Sequence, residues 1–90
     1  MRTPVYTRQF ERDIKKVRKR GKNLDKFKII ARALIEGGKL DPLHRDHQLI
    51  GDYVGRRECH IEADWLLIYK LWEKDQVVFE RTGSHADLFE

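Results

Sequence analysis

The stretch RECHIEADWLLIYKLWEKDQVVFER, residues 57–81, decides the fold of this chain. Apolar and polar side chains alternate over residues 57–62, which is typical of a strand with one buried face. Residues 65–72 are nearly all apolar, as expected of a central strand that is covered on both faces. Residues 76–81 predict a third strand, and the connections between the three are short. The pattern therefore predicts an antiparallel meander.

The residues before this stretch predict two amphipathic helices that follow a short edge strand at residues 4–6. Thr7 can cap the first helix, whose apolar stripe comprises Phe10, Ile14 and Val17. Asn23 can cap the second helix, which ends at Gly37 and has an apolar face made of Leu24, Phe27, Ile30, Ala31 and Leu34. Because the connection between them is short, we expect an antiparallel helical hairpin.

The predicted order is β-α-α-β-β-β, followed by a helical turn that Ser84 can cap and that runs through Phe89. We expect an α+β fold with a single domain over residues 1–90. The helical hairpin would pack on one face of a small, mostly antiparallel sheet, and the other face would stay partly open.

Two finer expectations concern the loop at residues 38–52 and the last strand. Leu43, Leu49 and Ile50 are the predicted apolar anchors of the loop. Counting strand reversals predicts that Arg81 lies at the opposite end of the central strand from Asp64.

The charge of the chain is unevenly distributed. Residues 1–32 hold 12 basic and 3 acidic side chains, a net charge of +9, whereas residues 33–90 have a net charge of −5. A basic N-terminal third favours a polyanionic partner, either nucleic acid or an acidic protein. A solvated, lysine-rich helix face is the plainer interpretation. At 90 residues we expect a shallow surface groove rather than an enclosed cavity.

A cytoplasmic location is expected from three observations. Cys59 is the only cysteine, so no intramolecular disulfide can form. The N-terminal residues lack an apolar run of signal-peptide length. The longest apolar stretch, residues 65–69, is too short to span a bilayer.

The histidines are the first candidates for chemistry, and they are His44, His47, His60 and His85. Cleavage of RNA by its own 2′-hydroxyl needs a base for the 2′-OH proton, an acid for the departing 5′-oxygen and a cation at the phosphorane. Histidine can do either proton transfer near neutral pH, and an arginine fork suits a phosphate. Trp65 or Phe89 could stack on an unstacked base.

Structural interpretations compete with each of these. A surface histidine is more often inert than catalytic, and Asp64 before a turn is commonly a turn former. Arg81 could pair with its neighbour Glu80. Trp65 and Trp72 suit the core, and Cys59 suits a small buried apolar position. The spacing of His44 and His47 is only a weak metal signal.

Three motifs then appear in order: DHQLIG at residues 46–51, RECHIEADWLLIYK at residues 57–70, and FERTGSHADLF at residues 79–89. Together they resemble the YafQ branch of the RelE/ParE toxin superfamily, and the likeness covers about half of the chain. The resemblance implies a RelE-like fold and a ribosome-dependent endoribonuclease that cleaves messenger RNA without a metal or other cofactor. It also implies a neutralising, acidic antitoxin, and binding of operator DNA by the toxin–antitoxin complex.

The resemblance assigns roles to particular residues. His85 would be the general acid, and His60 or Asp64 the base. His47 would substitute for the base or position the phosphate, which Arg81 would hold. Trp65, Glu58 and Phe89 would belong to the substrate-binding residues. Of these, Phe89 would stack on or orient the RNA, while Trp65 would be at least partly structural. Glu58 stands where relatives often have aspartate, which leaves its role open.

Three alternatives remain open at this point. A ParE-like gyrase inhibitor would need no acid–base residues. A non-enzymatic nucleic-acid-binding module would keep its activity after His85→Ala. A metal-dependent nuclease built on His44 and His47 would lose activity on chelation.

Overall fold

The structure, a computed structural model, describes residues 1–73 and 75–89, except for the side chain of Asp52. Lys74, in the predicted turn before the last strand, lies outside the described residues. The elements are β1 (Thr3–Tyr6), α1 (Arg8–Lys19), α2 (Leu24–Glu36), β2 (His47–Gln48), β3 (Arg57–Glu62), β4 (Trp65–Trp72), β5 (Gln76–Gly83) and α3 (His85–Phe89). Two 3₁₀ turns, Pro42–His44 and Gly51–Tyr53, lie between α2 and β3.

The strands form one sheet in the order β1-β5-β4-β3-β2. The antiparallel meander of β3, β4 and β5 is confirmed, and β1 runs parallel to β5 at one edge, as the edge-strand prediction required. The sequence pattern does not predict β2, because a strand of two residues is too short to establish an alternation. The predicted α+β fold class is confirmed.

The helices begin and end where the capping signals place them. The Thr7 hydroxyl accepts the Phe10 N–H, and the Asn23 side chain accepts the Asp25 N–H. Gly37 ends α2 with a left-handed φ of 80°. The apolar faces of both helices cover one face of the sheet and bury Phe10, Val17, Phe27, Ile30, Ala31, Leu34, Cys59, Ile61, Trp65, Leu67, Tyr69, Val77 and Phe79. None of the described helices has the length and apolar character needed to cross a membrane.

The opposite face is open only towards its edges. At its centre Leu66 and Ile68 are fully buried, and they are covered by Leu49, Tyr53 and Leu88. Leu49 therefore anchors the loop as predicted. The prediction is wrong for Leu43 and Ile50, which are 68% and 89% exposed, whereas Leu49 and Tyr53 pack against Leu66 and Ile68.

The predicted separation of Arg81 from Asp64 is also wrong. A single reversal separates β4 from β5, so the end of β5 lies beside the start of β4. The register pairs Arg81 with Ile68, and Gly83 with Leu66. Asp64 directly precedes β4, so Arg81 lies in the half of the sheet next to that turn.

A β-bulge in β5 decides which face Arg81 occupies. Phe79 pairs with Tyr69, and both contact the helices. Strict alternation would place Arg81 on the same face. The register shifts at Glu80, so Arg81 instead pairs with Ile68, on the opposite face. One additional residue therefore moves this guanidinium to the polar side of the sheet.

Candidate active site

A buried carboxylate lies between two histidines on the face opposite the helices. The register aligns His47 of β2 with Glu58 of β3, and His60 follows on the same face. Glu58 is 5% exposed. Its Oε1 atom lies 3.6 Å from Nε2 of His47 and 3.5 Å from Nε2 of His60. A single negative charge thus faces two imidazoles.

His85 forms a second histidine–carboxylate pair nearby. Its backbone N–H donates to Oδ1 of Asp64 at 2.9 Å, and its Nδ1 lies 2.9 Å from the same oxygen. The backbone bond, and then the side-chain bond, lower the pKa of Asp64. The ring centroids of His85 and His60 are 5.9 Å apart. Because Nδ1 is engaged, Nε2 is the atom of His85 available for proton transfer.

The start of α3, which carries His85, is held by a compact set of bonds. The Ser84 N–H donates to Oδ2 of Asp87 at 2.9 Å, and the Ser84 hydroxyl accepts the Asp87 N–H at 3.2 Å, so the predicted cap is confirmed. A Cβ on Gly83 would lie 2.7 Å from Asp87 Oδ2, and the φ of Gly83 is 155°. Glycine is therefore required for the carboxylate to approach this closely.

The helical hairpin contributes to the same anchor. Arg20, which follows α1, pairs with Asp87 and is the main reason why the pKa of this carboxyl is held well below its ordinary value. Lys22 and Lys26 both pair with Glu62, at 2.8 and 2.7 Å, and lower its pKa. Part of the basic surface of the hairpin is thus used to position the two chain segments that meet at the His85–Asp64 pair.

Arg81 lies across Ile68 from Glu58, in one cross-strand row. Its Nε and Nη2 atoms donate to the two carboxylate oxygens of Asp13, at 2.8 and 3.3 Å. This pairing raises the pKa of Arg81. Two strand spacings, about 10 Å, separate its backbone from that of Glu58. Between the two sides, Ile68 is covered by Leu49, Tyr53 and Leu88.

Two aromatic residues of the prediction have different surroundings. Phe89 is 44% exposed and lies between Tyr53 and His85, with ring centroids 5.7 and 6.2 Å away. Trp65 is 1% exposed, and its indole N–H donates to the Thr82 hydroxyl at 2.9 Å. The ring of Trp65 fills the core beneath the helices, which confirms its structural interpretation, while its expected contact with substrate stays a prediction.

Other structural interpretations are settled by burial and pairing. Cys59 is fully buried, and burial raises its pKa to about 12, so it is not a reactive thiol. Glu80 pairs with Arg56 and not with Arg81. His44 is used structurally, since its Nδ1 bonds the His60 carbonyl at 2.7 Å. Within residues 1–73 and 75–89, no three histidine, cysteine, aspartate or glutamate side chains are grouped as ligands for a metal ion.

The structure thus brings together six of the predicted site residues, places Arg81 at the far side of the same face and buries Trp65 beneath the helices. The six are His47, Glu58, His60, Asp64, His85 and Phe89. Sequence analysis missed Asp13, which is one acidic residue in a basic helix, and Tyr53, which lies in a loop. The buried face of α1 offered a signal for Asp13, because this residue lies three positions after Phe10 and four before Val17.

Comparisons with known proteins identify the family of this chain. The family model described as "Bacterial toxin of type II toxin-antitoxin system, YafQ" matches residues 2–90. The chain is 44% identical over 85 residues to the mRNA interferase toxin YafQ of Escherichia coli K12, covering 93% of this chain and 91% of that protein. It resembles the toxin in the crystal structure of the E. coli DinJ–YafQ complex with a TM-score of 0.92 and 41% identity over 100% of both chains. The crystal structure of YafQ from E. coli BL21(DE3) gives a TM-score of 0.93 and 40% identity over the same coverage. The chain therefore belongs to the YafQ family of bacterial type II toxin–antitoxin toxins.

Proposed function

We propose that this chain is an mRNA interferase toxin that cuts RNA by metal-independent acid–base catalysis. The observation that carries the proposal is the meeting of two imidazoles, His60 and His85, with centroids 5.9 Å apart and a separate carboxylate beside each. Two proton-transfer groups with different partners are what 2′-hydroxyl attack requires. The E. coli relative named above is an mRNA interferase, which supports the same activity here.

His60 is the general base in this proposal. It takes the proton from the 2′-hydroxyl while the 2′-oxygen attacks the adjacent phosphorus. Its imidazole becomes positively charged in this step, and the buried carboxylate of Glu58, 3.5 Å from Nε2, balances that charge. Asp64 is the weaker candidate for the base, because its lowered pKa makes its carboxylate a poor proton acceptor.

His85 is the general acid. Asp64 accepts the hydrogen bond of its Nδ1, which orients the ring and stabilises its protonated form, and Nε2 donates a proton to the departing 5′-oxygen. The P–O5′ bond breaks as the bond from the 2′-oxygen forms. The products are a 2′,3′-cyclic phosphate and a free 5′-hydroxyl.

The remaining residues position the RNA. Arg81 holds the scissile phosphate and stabilises the charge of the phosphorane. Phe89 is half exposed beside His85 and can stack on a base. His47 shares Glu58 with His60, so it is placed to contact the phosphate or to take over the base role.

The ribosome supplies the orientation that this small face lacks. His85, Asp64 and Phe89 lie on an exposed surface and not in an enclosed cleft, and the chain has few groups with which to read a sequence. The +9 charge of residues 1–32 supports binding to ribosomal RNA, although such electrostatic contacts are not specific for sequence. We therefore propose cleavage of messenger RNA on translating ribosomes in the cytoplasm.

The same family membership supports a neutralising partner. The structural relative is a toxin in complex with DinJ. We propose that an acidic antitoxin binds this chain, using the basic surface of the hairpin, and that the complex binds operator DNA.

Expression of the wild-type chain beside His85→Ala and His85→Gln tests the function. The proposal predicts that only the wild type arrests growth and cuts a reporter transcript. Both variants should lose roughly 10²–10⁴-fold in cleavage rate while they still bind ribosomes. Growth arrest with intact transcripts and damaged DNA would instead support a gyrase inhibitor, and unchanged cleavage by the variants would contradict the proposed acid.

A further inference from the structure

Asp13 is a buried carboxylate in a helix that is otherwise strongly basic. It lies on the sheet side of α1 and is 7% exposed. Four donors surround it: Nε and Nη2 of Arg81, the Thr82 N–H at 3.2 Å and the Gln9 side-chain amide at 3.0 Å. Burying a charge is costly unless it is fully paired. A buried carboxylate therefore indicates that the neighbouring donors need an acceptor at this position.

The edge of the sheet explains why a hydrogen-bond acceptor is needed at this position. β1 ends at Tyr6, which pairs with Phe79, so in the part of the chain that the structure describes β5 has no strand neighbour on its outer side beyond that point. The Thr82 N–H faces this gap, and Asp13 accepts it. Any acceptor of suitable length, including an uncharged amide, would satisfy this backbone group.

Arg81 explains why this acceptor is a carboxylate and not an uncharged amide. The β-bulge at Glu80 turns this side chain to the polar face, where an arginine has many rotamers. Asp13 binds the side-on edge of the guanidinium through Nε and Nη2. Among protein side chains, a carboxylate is the group that offers two oxygens to both of these donors at once. The end-on edge, with Nη1, does not bond the carboxylate, and the Tyr53 side chain lies beside the same guanidinium.

We propose that Asp13 is a positioning residue, which holds the guanidinium of Arg81 side-on so that its end-on edge meets the scissile phosphate. This inference rests on the proposed nuclease function. Asp13 touches no substrate atom. It removes the rotamer freedom of Arg81 before the RNA arrives, so that binding of the phosphate does not have to order this side chain.

The test uses the full chain on programmed ribosomes and measures single-turnover cleavage as a function of toxin concentration. Asp13→Asn should lower the saturated cleavage rate by roughly 10- to 100-fold. The concentration at half-saturation should change little, because the surface that binds the ribosome is unaltered. Asp25→Asn, which removes an exposed carboxylate from the same hairpin, is the matched control and should cleave like the wild type.

A double-mutant comparison separates positioning from general destabilisation. In an Arg81→Ala background, Asp13→Asn should cause no further loss of rate, because the side chain that it positions is absent. Equal losses in both backgrounds would overturn the inference and assign Asp13 a structural role. Because Asn can still accept the Thr82 N–H, this variant should fold. If it does not, Asp13→Glu is compared in the same two backgrounds with the same criterion.

A second readout does not depend on cleavage. In the wild type the Arg81 Nε–H should give an NMR resonance protected from solvent exchange, and Asp13→Asn should lose that protection. If the wild type cleaves, His85→Ala does not, and Asp13→Asn cleaves like the wild type, the inference fails while the proposed function stands. If the wild type leaves ribosome-bound RNA intact, the proposed function fails, and the positioning role fails with it.

Discussion

Two carboxylate clusters, built from neighbouring residues of the same motifs, lie on opposite faces of the sheet. On the helix side Asp46 accepts the Tyr69 hydroxyl at 2.5 Å and both Nε and Nη2 of Arg57 at 3.3 Å. On the other side Glu58 faces two imidazoles at distances beyond those of good hydrogen bonds. The first cluster is saturated with donors and stabilises the fold. The carboxylate of the second cluster can still accept hydrogen bonds, as a site that transfers protons requires.

The alternation of strand residues creates this division. Asp46 precedes His47, and Arg57 precedes Glu58, so each motif contributes one side chain to the structural cluster and one to the site. Within the first cluster, burial, followed by the bond to Asp46, raises the pKa of Tyr69 far above its ordinary value. This shift occurs in a cluster that stabilises the fold. A search for the active site by perturbed pKa alone would therefore have selected the wrong face of the sheet.

The largest expected difference between the two clusters is in catalysis. Glu58→Gln keeps the size of the side chain but removes the charge that balances the protonated imidazole. We expect the single-turnover cleavage rate to fall by about 10²-fold. Cleavage at the wild-type rate would show that the buried carboxylate serves only packing.

A smaller loss is expected from a change that moves His85 without altering its chemistry. Gly83→Ala would place a Cβ against the Asp87 carboxylate and strain a positive φ, so the start of α3 must shift. We predict a cleavage rate reduced by about 10-fold, because a misplacement well under 1 Å costs less than the 10²-fold expected of a full ångström. Ala86→Gly, three residues later on the exposed side of α3, is the control.

A change in the structural cluster should lower the stability of the fold and leave the cleavage rate unchanged. Asp46→Asn weakens the bonds to Tyr69 and Arg57 and should lower the free energy of unfolding by about 1–3 kcal/mol, measured by urea denaturation. The folded fraction should still cleave RNA at the wild-type rate. A large loss of cleavage with unchanged stability would reverse the roles assigned to the two clusters.

The smallest effect is a dependence of stability on pH. Arg20 and the Ser84 N–H lower the pKa of Asp87 in the folded chain. The stability from this pairing is present above the unfolded pKa, about 3.9, and is lost as pH falls through the lower folded value. The difference in unfolding free energy between wild type and Asp87→Asn should be constant near neutral pH and shrink below about pH 4. A difference that grows in acid would contradict the pairing.

The sequence was sufficient for the meander, the helices and their caps, because each follows from a local period or a single capping side chain. It was insufficient for Arg81, whose face depends on the bulge at Glu80 and not on alternation. It also missed Asp13, because three of the four donors that this residue binds lie 68 or 69 positions away in the chain. Pairing over such separations is fixed by the register of the sheet, which no local pattern encodes.

The most direct test of the central claim compares a normal messenger RNA with one that carries sulfur in place of the bridging 5′-oxygen at the cut. A thiolate leaves without protonation, so the modified RNA needs no general acid. We predict that His85→Ala cuts the modified RNA at nearly the wild-type rate, whereas His60→Ala remains impaired on both substrates. If His85→Ala is equally slow on both RNAs, His85 is not the acid, and the assignment of the two imidazoles is wrong.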